Sequence, residues 1–455
     1  MDKLAIVSTD GHAGAPVDTY RQYLEAKYHA DLDLLIEEEQ EWLSLVSKVS
    51  RFSPAQLEVI DGDGVIASDG HVGVWDLDRR IQEMDREGVA AEVFIQGHQF
   101  ASAPFFGSQN RAYSPELRLA GARAYNRWQA DLLDRAKGRL IGVTEQAAVP
   151  NLDDVVAEVR WAGEHGFRAV SFPAVIDPSF GQPGYHDAYW NPLWAACADH
   201  SLALLLHVGL GLPQGTALEY RRAQAKAAVG GDYDNKAKEQ RQGAGNMMED
   251  PIMKQILALN YTPRQVLWQL MVGGVFDRYP NIHFVPTEAR ADWVPATIAH
   301  MDARFERGDT GLAKRPSEYW ATNGFVGASF IHRQELVDRE AIGIQNLMFG
   351  RDYPHPEGTW PNTMDWLRAA FAGVPENEAR MILGENAIRC YGLDAELIKA
   401  TAERVGPKVD EILGDHHVAD AMINEFDKRA GFNKPVPDFS ATQLDEIMEV
   451  TLVSR

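Results

Sequence analysis

Cysteine is nearly absent from this chain: 455 residues hold two, Cys197 and Cys390, each inside an apolar, helix-like stretch. Two thiols so placed count against a disulfide framework and a thiolate metal cluster, and a reducing cytosol is the natural setting. Long hydrophobic runs are missing as well. No segment reaches the roughly 18 apolar residues that a membrane span needs. Met1 leads at once into a charged pair and a short strand, with no signal-like segment, so the expected location is the cytoplasm. Basic residues are in deficit, 44 against 66 acidic, for a formal charge of −22. That balance argues against nucleic acid and anionic membranes as partners and mainly implies solubility. After the first strand there is no glycine-rich phosphate loop; Asp10-Gly11-His12-Ala13-Gly14 stands there instead. Its absence lowers the case for an open, doubly wound dinucleotide fold.

What is present has an ordinary globular composition, 45% apolar and 24% charged, and a regular alternation. Short apolar runs at Leu4–Ser8, Val89–Ile95, Leu140–Val149, Phe167–Phe172, Leu202–Leu206, Ile282–Thr287, Phe325–Phe330 and Asn346–Phe349 are read as strands. Helical spacing fills the gaps, at Asp76–Glu87, Pro115–Lys137, Leu152–Gly163, Asn191–His200, Gln265–Arg278, Trp293–Phe305 and Thr363–Phe371. Eight buried strands alternating with helices predict a (β/α)8 barrel over residues 1–392. Two inserts interrupt it: a polar, helix-leaning one after strand 1 (about 17–78) and a lid-like one after strand 5 (about 209–250). Residues 393–455 read as an acidic helical extension. Pro435–Phe439 breaks that tail before a last helix, Gln443–Val450, which packs on the barrel exterior or on a second subunit.

The candidate chemistry lies at the strand ends. Asp10 and His12 follow strand 1, two residues apart and so able to face one object. His207 ends strand 5, Glu288 follows strand 6 and Asp352 follows strand 8. In a barrel these carboxyl ends converge on one face. Three carboxylates buried together repel one another unless a cation lies between them, so Asp10, His12, His207, Glu288 and Asp352 are the predicted metal ligands. Asp352, Glu288 and His207 are also the predicted catalytic groups. His355 and Glu357 follow on the Asp352 loop and could orient a ligand or a water. Arg290 and Arg351 could bind a substrate anion or neutralise the carboxylates. Gln96 and His98, at the end of strand 2, are pocket candidates, with Phe100, Phe105, Phe106 and Trp360 as an aromatic lining. Core packing suits Trp293 better, and His283 reads as structural. Asp69-Gly70-His71 repeats the opening tripeptide without a strand before it and reads as loop.

At these residues the chain resembles the amidohydrolase-related, aminocarboxymuconate decarboxylase-like enzymes. The carrying motifs are Asp10-x-His12, His207, Thr287-Glu288-x-x-Ala291-Asp292-Trp293 and Gly350-Arg351-Asp352-Tyr353-Pro354-His355-Pro356-Glu357-Gly358-Thr359-Trp360-Pro361. The resemblance implies a metal-dependent barrel that hydrolyses amides, esters or lactones, or removes carboxylate without oxidation. Three positions depart from the family pattern. Asp10 stands where a first histidine is usual, Glu288 replaces the sixth-strand histidine, and strand 4 shows no bridging lysine or glutamate. An oxygen-rich set favours iron over zinc, with manganese a further option. It is also similar to the branch holding the non-haem diiron monooxygenase of platensimycin and platencin biosynthesis. That likeness implies two ferrous ions, hydroxylation of a bulky apolar acyl substrate such as a thioester, and an external electron donor. The oxidative reading is the expectation carried forward, with metal-dependent hydrolysis or non-oxidative decarboxylation of a small molecule as the alternative. A homo-oligomer is left open.

Overall fold

The computed structural model describes residues 2–46, 52–97, 102–106, 112–146, 150–173, 175–207, 261–328, 330–429 and 439–449. His98, Phe100, the insert at 209–250 and the break at 435–438 lie outside the described residues.

Eight parallel strands run in sequence order around a barrel: β1 (Ile6–Ser8), β2 (Val89–Phe94), β3 (Leu140–Glu145), β4 (Ala169–Ser171), β5 (Ala203–His207), β6 (Phe284–Thr287), β7 (Val326–Ala328) and β8 (Leu347–Phe349). The ring closes where Thr9 N donates to Phe349 O at 2.8 Å and Gly11 bridges to Tyr353. Apart from β5, which equals its run in length and lies one residue later, the strands are shorter than the apolar runs that predict them.

Alternation sorts each strand between two cores. On β5, Ala203 and Leu205 join Val7, Val93, Ile141, Val143, Ala169, Val285 and Met348 inside the barrel, whereas Leu204 and Leu206 face the helices. His207 shares the parity of Ala203 and Leu205, so its side chain enters the barrel mouth. Tyr391, Ile398 and Ala402 belong to the inner core and close the opposite end, where Leu4 N donates to Pro407 O at 2.8 Å.

The predicted helices form with shifts of a residue or two. The exception is the expected Gln265–Arg278, which breaks at Gly273–Gly274 into Tyr261–Val272 and Val275–Arg278, with Gly274 at φ 63°. The insert after β1 is helical at His29–Val46 and Pro54–Ile60. Ser53 and Gln56 make a capping box on the second of these. The C-terminal extension packs on its own barrel. Leu444, Ile447 and Met448 of the helix Ala441–Met448 are buried, and Trp268 Nε1 donates to Met448 O at 3.0 Å. Among the described residues no helix is long and apolar enough to cross a membrane.

Candidate metal centre

The five predicted ligand residues meet at the carboxyl ends of the strands. His207 Nε2 lies 3.4 Å from Asp10 Oδ1 and 3.6 Å from Glu288 Oε2. His12 Nε2 lies 3.1 Å from Asp352 Oδ1 and 3.9 Å from Asp10 Oδ1. The Asp10 and Asp352 side chains are fully buried and Glu288 is 12% exposed.

The tautomer of His12 shows what this arrangement requires. His12 Nδ1 lies 2.9 Å from the carbonyl oxygen of Gln96. A carbonyl only accepts, so Nδ1 carries the proton and Nε2 presents a lone pair. Burial, together with the neighbouring His355 and His207, holds His12 well below the usual imidazole pKa, so the ring is neutral. Nε2 makes no hydrogen bond, and what faces it at 3.1 Å is a carboxylate oxygen. Two electron-rich atoms at that separation in a buried site call for a cation between them. A histidine that donates its far nitrogen to a backbone carbonyl is also how protein metal ligands are oriented.

Three overlapping groups each bring their donor atoms within 4.8 Å of one another: Asp10, His12 and His207; His12, Asp352 and His355; Glu288, Asp352 and Glu357. Three imidazole nitrogens and several carboxylate oxygens, with no sulfur, suit a divalent ion such as manganese, iron or zinc. Gln96 joins the site through its backbone. His355, one of the two loop candidates, stacks on His12 with centroids 3.9 Å apart and places Nδ1 3.0 Å from Asp352 Oδ1.

Two of the carboxylates stand on unusual backbone. Glu288 has φ 55° and Asp352 φ 52°. The left-handed region costs a non-glycine residue about 1–3 kcal/mol, a price met mainly at functional sites. Burial raises the Glu288 carboxyl well above the ordinary range. His207 opposes that shift, and the Asp352, Asp10 and Glu357 charges add to it.

Arg351 corrects the sequence reading. It is fully buried and its guanidinium donates to Glu92 and to Glu87 Oε2, the latter at 2.7 Å. Its guanidinium is engaged by Glu87 and Glu92, in place of the substrate anion or ligand carboxylates expected for it. Arg290 is engaged by Asp292, Nε to Oδ2 at 2.9 Å. Trp360 also departs from the expected lining. It packs against Tyr353, Val65 and Val74, and its Nε1 donates to Glu83 Oε2 at 3.0 Å. Trp293 is buried against Trp320, and His283 Nδ1 lies 2.8 Å from Cys390 O, both as structural residues.

Sequence reading missed the scaffold behind the centre. Arg80 Nη1 donates to His12 O at 2.6 Å while Nε donates to Glu92 Oε2 at 2.6 Å. The backbone of Asp10-Gly11-His12 crosses directly over this pair: a Cβ on Gly11 would lie 3.0 Å from both Arg80 Nη2 and the Glu92 carboxyl carbon. The repeat of charged residues in Leu77–Arg86 and a glutamate inside a buried strand were the signals available.

The amidohydrolase family pattern matches residues 60–393, most of the chain. The chain belongs to that family. It is thereby a metal-dependent enzyme of the amidohydrolase superfamily. Solved structures share the barrel at low identity. An amidohydrolase from Mycobacterium avium subsp. paratuberculosis K-10 is 18% identical with a TM-score of 0.58, over 86% of this chain and 99% of its own. The 5-carboxyvanillate decarboxylase of Sphingomonas paucimobilis is 18% identical with a TM-score of 0.52, over 86% and 100%. A dihydroxybenzoic acid decarboxylase from Polaromonas sp. JS666, solved with manganese and 2-nitroresorcinol, is 17% identical with a TM-score of 0.52, over 87% and 99%. No curated protein matches the sequence.

Proposed function

We propose that this amidohydrolase removes a carboxylate from a small molecule without oxidation, using one divalent ion held by Asp10, His12, His207 and Asp352. The observation that carries the metal is His12 itself, a fixed neutral imidazole with its lone pair aimed at Asp352 Oδ1. The ion supplies Lewis acidity that polarises the bound carboxylate. What separates decarboxylation from hydrolysis is the protonation of Glu288. Burial and the adjacent carboxylates favour the protonated form of its carboxyl. It can therefore give a proton to the carbon that loses carbon dioxide, and regain one from water. A hydrolase would need a base at that place. His355, stacked on His12, holds the Asp352 side of the site in position. The decarboxylases of like fold act, by their names, on 5-carboxyvanillate and dihydroxybenzoate, which makes hydroxylated arenecarboxylates the first substrates to try.

A second reading rests on Glu288, Asp352 and Glu357, whose oxygens come within 4.8 Å of one another and could hold a second ion. Two irons at such an oxygen-rich pair would suit a diiron monooxygenase acting on a bulky acyl thioester or carboxylate, with an outside electron donor. Metal analysis of protein purified without chelator, followed by anaerobic incubation with 2,6-dihydroxybenzoate and 5-carboxyvanillate, decides between them. One ion per chain and carbon dioxide release without oxygen are expected. Two irons per chain with dioxygen uptake would overturn the decarboxylase reading. Anaerobic cleavage of esters or amides without carbon dioxide would replace it with hydrolysis.

A further inference from the structure

Arg118 lies in the first turn of the helix Pro115–Ala136 and is 4% exposed. An arginine buried to that degree is ordinarily paired, because an uncompensated buried cation is costly. Arg118 makes no ion pair among the described residues. Its Nε has no hydrogen-bond partner, and the guanidinium carbon stands 5.2 Å from the centre of the Phe106 ring. Glu145 and Asp177 act on it only through space. The Gln96 and Ser171 side chains and the Gln146 backbone favour the charged form of Glu145, and burial opposes it. Burial pushes its carboxyl up to about 8, so at neutral pH it opposes the Arg118 charge only weakly, and Asp177 acts on that charge without an ion pair.

The position of this cation is informative. Gln96, Glu145 and Ser171 stand at the carboxyl ends of β2, β3 and β4. Gln96 is also the residue whose carbonyl orients His12. Gln96 thus touches the candidate metal centre and also acts on Glu145, which in turn acts on Arg118 through space. The ligand-type residues occupy the β1, β5, β6 and β8 side of the mouth, and the unpaired cation occupies the β2–β4 side.

We propose that Arg118 binds a second anionic group of the substrate, a carboxylate, while the reacting group lies at Asp10, His12, His207 and Asp352. This inference rests on the metal-dependent reading of that centre, and it makes the substrate a diacid whose apolar body passes the Phe106 ring. A guanidinium fork holds a carboxylate through two parallel hydrogen bonds. Charge-assisted bonds of this kind distinguish an anionic group from a hydrogen atom by about tenfold or more in affinity.

The test uses the full chain loaded with manganese and two sets of probes: isophthalate with the straight-chain dicarboxylates from malonate to pimelate, and their monocarboxylate counterparts. Calorimetry should show at least one diacid binding about tenfold or more tighter than its monoacid. R118Q should abolish that preference with monoacid affinity and manganese content unchanged, and R118K should keep part of it. A wild-type protein that binds manganese but shows no diacid preference overturns the Arg118 inference alone, as does a preference that survives in R118Q. A wild-type protein that takes up no manganese overturns the reading of the centre, and this inference with it. If R118Q does not fold, R118K decides: a preference equal to wild type in a variant lacking the fork overturns bidentate recognition.

Discussion

Arg351 and Glu92 form a fully buried ion pair that also takes in Arg80, whose Nη1 holds the carbonyl of His12. The pair joins the two turns that carry the ligand-type residues, because Arg351 is adjacent to Asp352 and its backbone N donates to Ser8 Oγ at 3.0 Å. Burial alone would raise the Glu92 carboxyl, yet Arg351 and Arg80 hold it below its ordinary value. The charge at Glu92 is thus part of what places Asp10, His12 and Asp352 in one geometry.

Glu92→Gln leaves two buried guanidinium groups without their shared carboxylate. A loss of about 3–5 kcal/mol in unfolding free energy is expected, read from urea denaturation. Arg80→Lys is the milder probe. It keeps a charge but loses the fork that spans Glu92 and His12 O, so metal affinity should fall by about 10–100-fold with the fold retained. Unchanged metal affinity in Arg80→Lys would show that the His12 carbonyl needs no such support.

Asp352→Asn and Glu288→Gln separate the one-ion and two-ion arrangements. Asp352 belongs to two of the three donor groups, so its amide variant should lose bound metal altogether. Glu288 is outside the group of Asp10, His12 and His207. With one ion at that group and Asp352, Glu288→Gln should keep full metal content and lose turnover, since an amide gives no proton. A drop from two ions to one by elemental analysis would instead assign Glu288 to a second ion.

Glu145 makes stability depend on pH in a fixed direction. Its carboxyl titrates near 4.5 in the unfolded chain and near 8 in the folded protein. Between those values the unfolded state gives up the proton and the folded state keeps it, so this group's contribution is full below 4.5 and is lost as pH rises to 8. Each unit is worth about 1.4 kcal/mol at most. Glu145→Gln should therefore gain stability relative to wild type as pH rises from 5 to 8. A constant difference across that window would show that the Glu145 carboxyl titrates alike in both states.

The last described helix is held by apolar burial as well as by polar ties. Leu444 is 3% exposed, Trp268 Nε1 bonds the Met448 carbonyl, and His300 Nε2 lies 2.8 Å from Asp445 Oδ1. Leu444→Ala should cost about 2–5 kcal/mol, whereas Asp445→Ala, at a half-exposed pair, should cost about 1 kcal/mol or less. Thermal melts of the two variants give the comparison. Near-equal effects would mean that the helix is held by its charges.

Much of the barrel was legible along the chain, because a strand buried on both faces is a short apolar run and a helix on its outside has period 3.6. The ligand-type residues were legible for the same reason. Asp10, His12, His207, Glu288 and Asp352 each stand where an apolar run stops, and a closed parallel barrel brings all such ends to one mouth. Partnership was not legible, since it depends on which distant segments the closure sets side by side. Arg351 read as a cation for a substrate anion or for the ligand carboxylates, but Glu87 and Glu92, more than 250 residues away in sequence, take it. Nothing along the chain marked Arg118, and the fold buries it near Glu145 without an ion pair among the described residues. The opening Asp10-Gly11-His12 shows the division most plainly. Local spacing put a carboxylate and an imidazole at the end of one strand. Tertiary structure set Gln96 O against His12 Nδ1, turned the lone pair of Nε2 toward Asp352, and so made the pair a site for a cation.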